Sequence, residues 1–420
     1  MKPMCFGTGL RVCVGLVASV LAWPSFAGGL TLDEALRLAD NTAPALAAQN
    51  ASVQAASSAA IPAGELPDPK LVLGVQNFPV GGPDRGSLDR DFMTMQMVGI
   101  RQDMPNSEKR KARIEVADAA VDTAIAQRRV ARLNVRQATA LAWINSYSVE
   151  RKDALFKDFY SENRLFADAV RAAIAGGRAQ PSDAVTPKQE AALLAEQQDE
   201  LQQQRAQAHA ALKRWIGPAG NDTPLGRLPE WPVEGGMYTH NVQHHPQLAA
   251  FEPMTREAQA KLHEAEAQKH PDWSWELDYQ HRGQQFGDMV SVQFSWDLPI
   301  FPGRRQNPVI AARQADLDQL DAEREDMTRE HTRQLDDDLA DFQRLNRAVQ
   351  RGQDSLIPLA QEKVALSMAS YRAGKGDLNA LVTARRELIQ ARLKQVDVEE
   401  QRAAVNARLY FAYGEGAHDI

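Results

Sequence analysis

Three groups of residues have types and spacings that can do chemistry. Met93, Met95 and Met97 alternate along a short run, and a row of thioethers suits a soft ion such as copper(I) or silver(I). The same three keep the parity of an apolar strand face, so a stripe facing lipid is the plainer reading. His240, His244 and His245 have helical spacing that can hold a divalent ion. They stand at a helix start just before Pro246, with no acid in a protease-like HExxH pattern, which favours surface histidines. Asp336, Asp337, Asp338 and Asp341 form a dense acidic run. Such a run is ordinarily a solvated helix face; around an aqueous passage it would tolerate cations. No catalytic constellation accompanies these groups. There is no GxSxG and no GxGxxG, and Gly374-Lys375 lacks the upstream glycine and the following Ser or Thr of a phosphate loop. The chain reads as no enzyme and as needing no cofactor.

The elements that carry these residues are unusual. Leu32, Leu36, Ala39, Ala43, Leu46 and Val53 step by threes, fours and a seven. Ile310, Leu317, Leu320, Met327, Leu335, Leu339, Phe342, Leu345 and Val349 do much the same, a coiled-coil-like stripe. Alanine fills many remaining positions, which favours helix and close packing. Residues 109–176 contain no proline; as one helix they would be roughly 100 Å long at about 1.5 Å per residue. Residues 308–373 repeat the feature, with a kink predicted at Pro358.

Strand segments alternate with period two. Trp273, Trp275, Leu277 and Tyr279 share one face, against Ser274, Glu276, Asp278 and Gln280. Val290, Val292, Phe294 and Trp296 alternate with Ser291, Gln293, Ser295 and Asp297; Leu71, Leu73 and Val75 make a looser third run. Gly/Pro/Asp-rich stretches join the members of each pair, so each pair reads as a hairpin. Each run is long enough to cross a bilayer as a tilted strand. Four strands cannot close a barrel, and lipid tolerates no open edge. Strands in a membrane would therefore need several chains to share one barrel. A small soluble sheet on a helical stalk is the alternative.

The plan occurs twice. Pro44-Ala45-Leu46-Ala47-Ala48 recurs as Pro246-Gln247-Leu248-Ala249-Ala250, Asp103-Met104-Pro105 as Asp297-Leu298-Pro299, and Ala175-Gly176-Gly177-Arg178 as Arg372-Ala373-Gly374-Lys375. The predicted divisions are a first repeat over 28–217 (hairpin about 70–103, helices 109–176 and 182–217), a linker over 218–236, a second repeat over 237–414 (hairpin about 272–298, helices 308–373 and 377–413), and a tail over 415–420. Residues 1–27 read as a secretory signal: Lys2 and Arg11, an apolar run, then Ser25-Phe26-Ala27 as a cleavage site. The only cysteines, Cys5 and Cys13, fall inside it, so no disulfide framework is expected. The formal charge is −7, or −9 without the signal, which disfavours nucleic acid as a partner.

Signal, duplication, paired strands and long helices together resemble the TolC family of outer-membrane factors across essentially the whole mature chain. Leu30-Thr31-Leu32-Asp33-Glu34-Ala35-Leu36 is similar to the family's N-terminal signature, and Tyr371-Arg372-Ala373-Gly374 with Asp377-Leu378 and Ala384 to its second helix-turn signature. Leu66-Pro67-Asp68-Pro69-Lys70-Leu71 and Phe92-Met93-Thr94-Met95-Gln96-Met97-Val98-Gly99 resemble the heavy-metal, CusC- and CzcC-like branch. The resemblance implies a mainly α fold in which three chains build a 12-strand barrel and a helical tunnel. It implies a cell-outer-membrane channel reaching into the periplasm, partnered by a periplasmic adaptor and, directly or indirectly, an inner-membrane pump, and exporting heavy-metal cations. Drug efflux, type I secretion and a periplasmic helical-hairpin adaptor are the alternatives. Carried over residue by residue, it implies adaptor docking at Gly177, Arg178, Gly374, Lys375 and Gly376, and an aperture at Tyr371 and Asp183; Lys375, Asp377, Arg385 and Arg386 are the nearby charges from which gate bonds of a different kind can be made. Gly376, Ala380 and Thr383 depart from the family's gate charges, so the gate bonds must differ. Trp273, Trp275, Val292 and Phe294 are expected to face lipid.

Overall fold

The computed structural model describes residues 29–414, leaving the predicted signal and tail outside. Helices dominate, and the two longest hairpins follow from uninterrupted helix formers. After α1 (Leu32–Thr42) and α2 (Pro44–Ala60) come strands β1 (Lys70–Gln76) and β2 (Met95–Met104). Helix α3 (Ser107–Ala175) then runs 69 residues, and α4 (Thr186–Ile216) returns along it. The Asn106 side chain accepts the Glu108 N–H at 2.8 Å and so caps the start of α3. The second half has α5 (Gly235–Asn241), α6 (Pro246–Ala249), α7 (Phe251–Ala267), β3 (Trp273–His281), β4 (Met289–Trp296), α8 (Gln306–Arg351), α9 (Ile357–Arg372) and α10 (Leu378–Tyr413).

The second long helix is not simply kinked at Pro358. A π-turn over Gly352–Leu356 separates α8 from α9, and the Ile357 N–H bonds the Gly352 carbonyl, five residues back. Pro358 offers no N–H to the Asp354 carbonyl, so the ladder widens one turn ahead of the proline and runs on.

The waist of the molecule holds the largest core. Trp143 and Ile144 of α3 pack with Leu36 and Ala39 of α1, Leu212 and Ile216 of α4, and Ala407 and Phe411 of α10. Ala35, Ala39, Ala140 and Ala407 are fully buried, which lets the helix backbones approach. The Trp143 indole donates to the Leu30 carbonyl at 2.8 Å, and Leu30 exchanges backbone bonds with Thr223 and Leu225. The segment joining the halves is thereby tied to the waist. Trp231 stacks on Tyr410 at 4.4 Å, and the Asn406 amide bonds both polar groups of the Trp231 backbone.

One antiparallel sheet forms at the far end of α3 and α8 from the tips, in the order β1-β2-β3-β4. The two hairpins meet through β2 and β3, where Met104 opposes Trp273 and Gln96 opposes His281. Asp272 fixes this corner: it accepts the Asn106 N–H and the Lys109 ammonium, both at 2.8 Å. Among the described residues no helix is long and apolar enough to cross a membrane.

Candidate functional sites at the sheet and at the helical tips

The sheet has two chemically different faces. On one, Leu71, Leu73, Val98, Ile100, Leu277, Tyr279, Val292 and Phe294 stand exposed, and Val290 is 65% exposed. Trp273 and Trp275 share this face, half-buried, with Trp275 opposite Phe294 and Trp273 opposite Trp296. The other face carries Ser274, Asp278 and Gln280, all buried. Asp278 lies over Gly99, where a Cβ would stand 1.9 Å from its carboxylate oxygen.

The methionine stripe is corrected by the register. Met97 opposes Gly74 on one side and Gln280 on the other, and Met95 opposes Gln76. Both therefore sit on the polar face with Asp278, not on the apolar one. Met93 precedes the strand and is exposed. The run Met-Gln-Met-Val-Gly-Ile is apolar on both parities, so only pairing decides which face is which. Among the described residues, no three His, Cys, Asp or Glu side chains converge on a metal site.

At the opposite end, the two helical turns are built alike. Gly177 and Gly374 both have φ of +69°. The Gly177 N–H bonds Ile174 and the Arg178 N–H bonds Ala173; Gly374 bonds Tyr371 and Lys375 bonds Ser370 in the same pattern. This is the glycine-terminated helix end that only a residue without Cβ adopts cheaply. The tips touch: Arg178 Nη1 donates to the Arg372 carbonyl at 2.7 Å.

The expected aperture residues divide. Tyr371 is 6% exposed, packed with Phe166, Val170 and Leu381, and its hydroxyl has no partner among the described residues. Burial, reinforced by Asp183, pushes that hydroxyl's pKa up. Asp183 is engaged locally, its carboxylate accepting the Gln180 N–H at 3.0 Å. Asp377 precedes α10 and is exposed, as is Lys375. Arg385 has a different part from a free gate charge. It is buried with its guanidinium 4.6 Å from the Phe166 ring centre, and donates to the Glu162 carbonyl at 3.0 Å. Burial lowers its pKa. Arg386 forks onto the buried Glu190 at 2.6 and 3.2 Å, which raises its own pKa. The consecutive arginines thus pin α10 to α3 and to α4. Glu162, Phe166 and Glu190, the partners, were not singled out in the sequence; Glu190 is marked there by falling four residues before Leu194 on the packed face of α4.

The histidines and the acidic run are rearranged too. His240 and His244 are exposed, their rings 6.0 Å apart. His245 is no surface residue: it is buried against His331, 4.0 Å between ring centres. Burial, then the neighbouring His331, lowers its pKa to about 3, and burial lowers that of His331. The run of acids is largely matched: Asp338 takes Arg408, Asp337 takes Arg333, and Asp341 takes Arg344.

Residues 238–415 match the family model described as Outer membrane efflux protein. No curated protein sequence matches the chain. The fold is similar to that of a membrane protein from Pseudomonas aeruginosa, at 18% identity over 91% of this chain and 90% of that one, with a TM-score of 0.78. It is similar to the outer membrane protein VceC from Vibrio cholerae, at 16% identity over 91% and 96%, with a TM-score of 0.76. It is also similar to the CmeC outer membrane channel of Campylobacter jejuni, at 12% identity over 99% and 94%, with a TM-score of 0.77.

Proposed function

We propose that this chain is one subunit of an outer-membrane efflux channel, closing a 12-strand barrel and a periplasmic helical tunnel with two further copies. One observation carries the reading: a four-stranded sheet whose outer strands, β1 and β4, have no partner beyond them among the described residues, and whose outward face is apolar. In lipid the edge of β4 must pair with the β1 edge of another copy, and closure removes every edge. The polar face then lines the lumen. The tips, roughly 100 Å away along α3 at about 1.5 Å per residue, reach into the periplasm. There, Gly177, Arg178, Gly374, Lys375 and Gly376 dock the helical hairpins of an adaptor that links to an inner-membrane pump. In this reading transport energy comes from the pump.

Mass measurement of the purified protein in detergent tests the assembly. A trimer that resists dissociation is expected; a stable monomer with complete β-structure overturns it. Such a monomer would favour the stalk-like adaptor reading. Heavy-metal cations are the proposed cargo, on the strength of the 66–71 and 92–99 segments. Deleting the gene should sensitise cells to metal salts; sensitivity to drugs alone, or loss of a secreted protein, would assign the cargo elsewhere.

A further inference from the structure

The two repeats leave the sheet differently. In the first, Asp103-Met104-Pro105 leads through Asn106 alone into α3. In the second, the matching Asp297-Leu298-Pro299 is followed by Ile300-Phe301-Pro302-Gly303-Arg304-Arg305 before α8 begins. Packing within the chain does not account for the added segment. Leu298, Ile300 and Phe301 are 70%, 69% and 67% exposed. A Cβ on Gly303 would meet nothing within 4 Å.

The segment is held in place by its own bonds. The Ile300 N–H bonds the Leu298 carbonyl at 2.9 Å, and the Asn307 N–H bonds the Pro302 carbonyl at 2.8 Å. The Arg304 N–H bonds the Phe301 carbonyl at 3.2 Å, closing a turn with Pro302 at its second position, where proline is favoured. Its apolar side chains are therefore displayed by a formed loop, and a partner would find little left to order.

The loop continues the apolar face of the sheet. Val290, Val292, Phe294 and Trp296 stand exposed at every second residue of β4, and Leu298 keeps their parity. Pairing runs on far enough to hold it, since the Asp297 N–H bonds the Asp272 carbonyl at 2.8 Å. The chemistry then changes from apolar to cationic within a few residues. Arg304 and Arg305 are exposed, and neither has an ion pair or side-chain hydrogen bond among the described residues. The other charges of this corner are mostly matched: Lys109 holds Asp272, Arg113 faces Glu264 at 3.6 Å, and His270 meets Glu108 at 2.8 Å. Asp297, which lines a cavity with Arg305, is the one acid of the segment. Its charge offsets only one of the two guanidiniums.

We propose that residues 298–305 anchor the chain in the leaflet on the helical side of the sheet, with Leu298, Ile300 and Phe301 in the hydrocarbon and Arg304 and Arg305 on the phosphates of anionic phospholipid. Going from sheet to helices, the chain passes from apolar to cationic in the order in which a leaflet passes from acyl chain to phosphate. A guanidinium takes phosphate oxygens two at a time, and its apolar stem tolerates the edge of the hydrocarbon. The surplus positive charge favours anionic over zwitterionic headgroups. This inference rests on the membrane reading of the sheet and adds to it a particular lipid contact, confined to the second repeat.

The test uses the full chain in phosphatidylcholine vesicles with and without phosphatidylglycerol. Phe301→Cys, with Cys5→Ser and Cys13→Ser, takes a nitroxide label. The label should be open to oxygen and shielded from a water-soluble nickel chelate. Ready access of the chelate overturns the proposal, and so does shielding from both reagents, which would put Phe301 under the next copy. Spin-labelled phosphatidylglycerol should associate with the protein in preference to spin-labelled phosphatidylcholine. That preference should fall several-fold in Arg304→Gln with Arg305→Gln, and should persist in Arg324→Gln with Arg329→Gln, farther along α8. An unchanged preference in the first pair, or an equal loss in the second, also overturns it. A chain that stays off the vesicles brings down the channel reading and this inference together, whereas inserted trimers with a wetted residue 301 bring down this one alone.

Discussion

Arg178 reaches across from the first repeat and donates to the backbone carbonyl of Arg372 in the second, 2.7 Å away. It is a bond between two loops that close their helices in the same way. Both groups are exposed, so its contribution is about 1 kcal/mol and local. Arg178→Ala should speed amide exchange at 176–182 and 372–377 several-fold while leaving the midpoint of thermal unfolding nearly unchanged. Equal exchange in both proteins would show that the tips hold without it.

Gly177→Pro and Gly374→Pro demand φ near −65° where the chain has +69°. Trimers should still reach the membrane, because the turns lie far from the sheet, yet export should stop. Cysteines placed at 178 and 375 should crosslink to the adaptor. Crosslinks found only near the strands would invert the proposed orientation.

Trp275 and Phe294 oppose each other on the apolar face. Trp275→Arg and Phe294→Arg should each cost roughly 2–4 kcal/mol of membrane stability near mid-bilayer, measured by urea unfolding in lipid vesicles. Gln293→Arg, on the other face, should cost much less. Normal insertion of the Trp275→Arg, Phe294→Arg double variant would reverse the assignment of faces.

Arg386 neutralises Glu190, whose side chain is nearly buried. Removing it as Arg386→Ala should destabilise the hairpin contact by about 2 kcal/mol, below the loss from a fully buried pair because Arg386 itself is half exposed. Adding Glu190→Gln should recover much of that loss in thermal unfolding. If the double variant is no better than the single one, the cost lies in packing rather than charge.

Glu399 sits where α10 meets the π-turn. Burial pushes its carboxyl up, but hydrogen bonds from Gln395 and Arg151, with Gln353 behind them, outweigh burial and hold the pKa below its ordinary value. The unfolded chain therefore takes the proton first on acidification. The stabilisation is complete above the unfolded pKa and is lost as pH falls through the folded one. Relative to Glu399→Gln, the wild type should show a stability advantage at pH 7 that shrinks below about pH 4.5, the unperturbed value. An advantage constant down to strong acid would remove Glu399 from this account.

Much of the fold could be read in the letters. The stripe through Leu335, Leu345 and Val349 and the glycines at 177 and 374 are local signals, each tied to a helical period or a helix end. The alternation of β3 is equally plain, since tryptophan and leucine never share a parity there with serine or aspartate. In β2 the pattern breaks, because Met95, Met97, Val98 and Ile100 are apolar on both sides. The packing of His245 on His331 was hidden by distance: the two stand on different elements, and only proximity in sequence drew His240, His244 and His245 together. The one trace of that burial was the place of His331, four residues from both Met327 and Leu335 on an apolar stripe. The Arg178 bond ends on a carbonyl, which every residue has, so no side-chain pattern could announce it.

The seam between β2 and β3 dictates an order of events. Met104 and Trp273 are neighbours in the sheet, yet more than a third of the polypeptide is synthesised between them. The first hairpin must therefore wait, with the β2 edge from Gln96 to Met104 unpaired, until α3, α4 and α7 have emerged and carried the second hairpin to its side. Contacts so distant along the chain form slowly, and waiting apolar strands stick to one another. Maturation of this protein is thus set by its longest loop closure, and its most vulnerable moment falls before the last strand arrives, when a chaperone that shields half a sheet decides between insertion and aggregation.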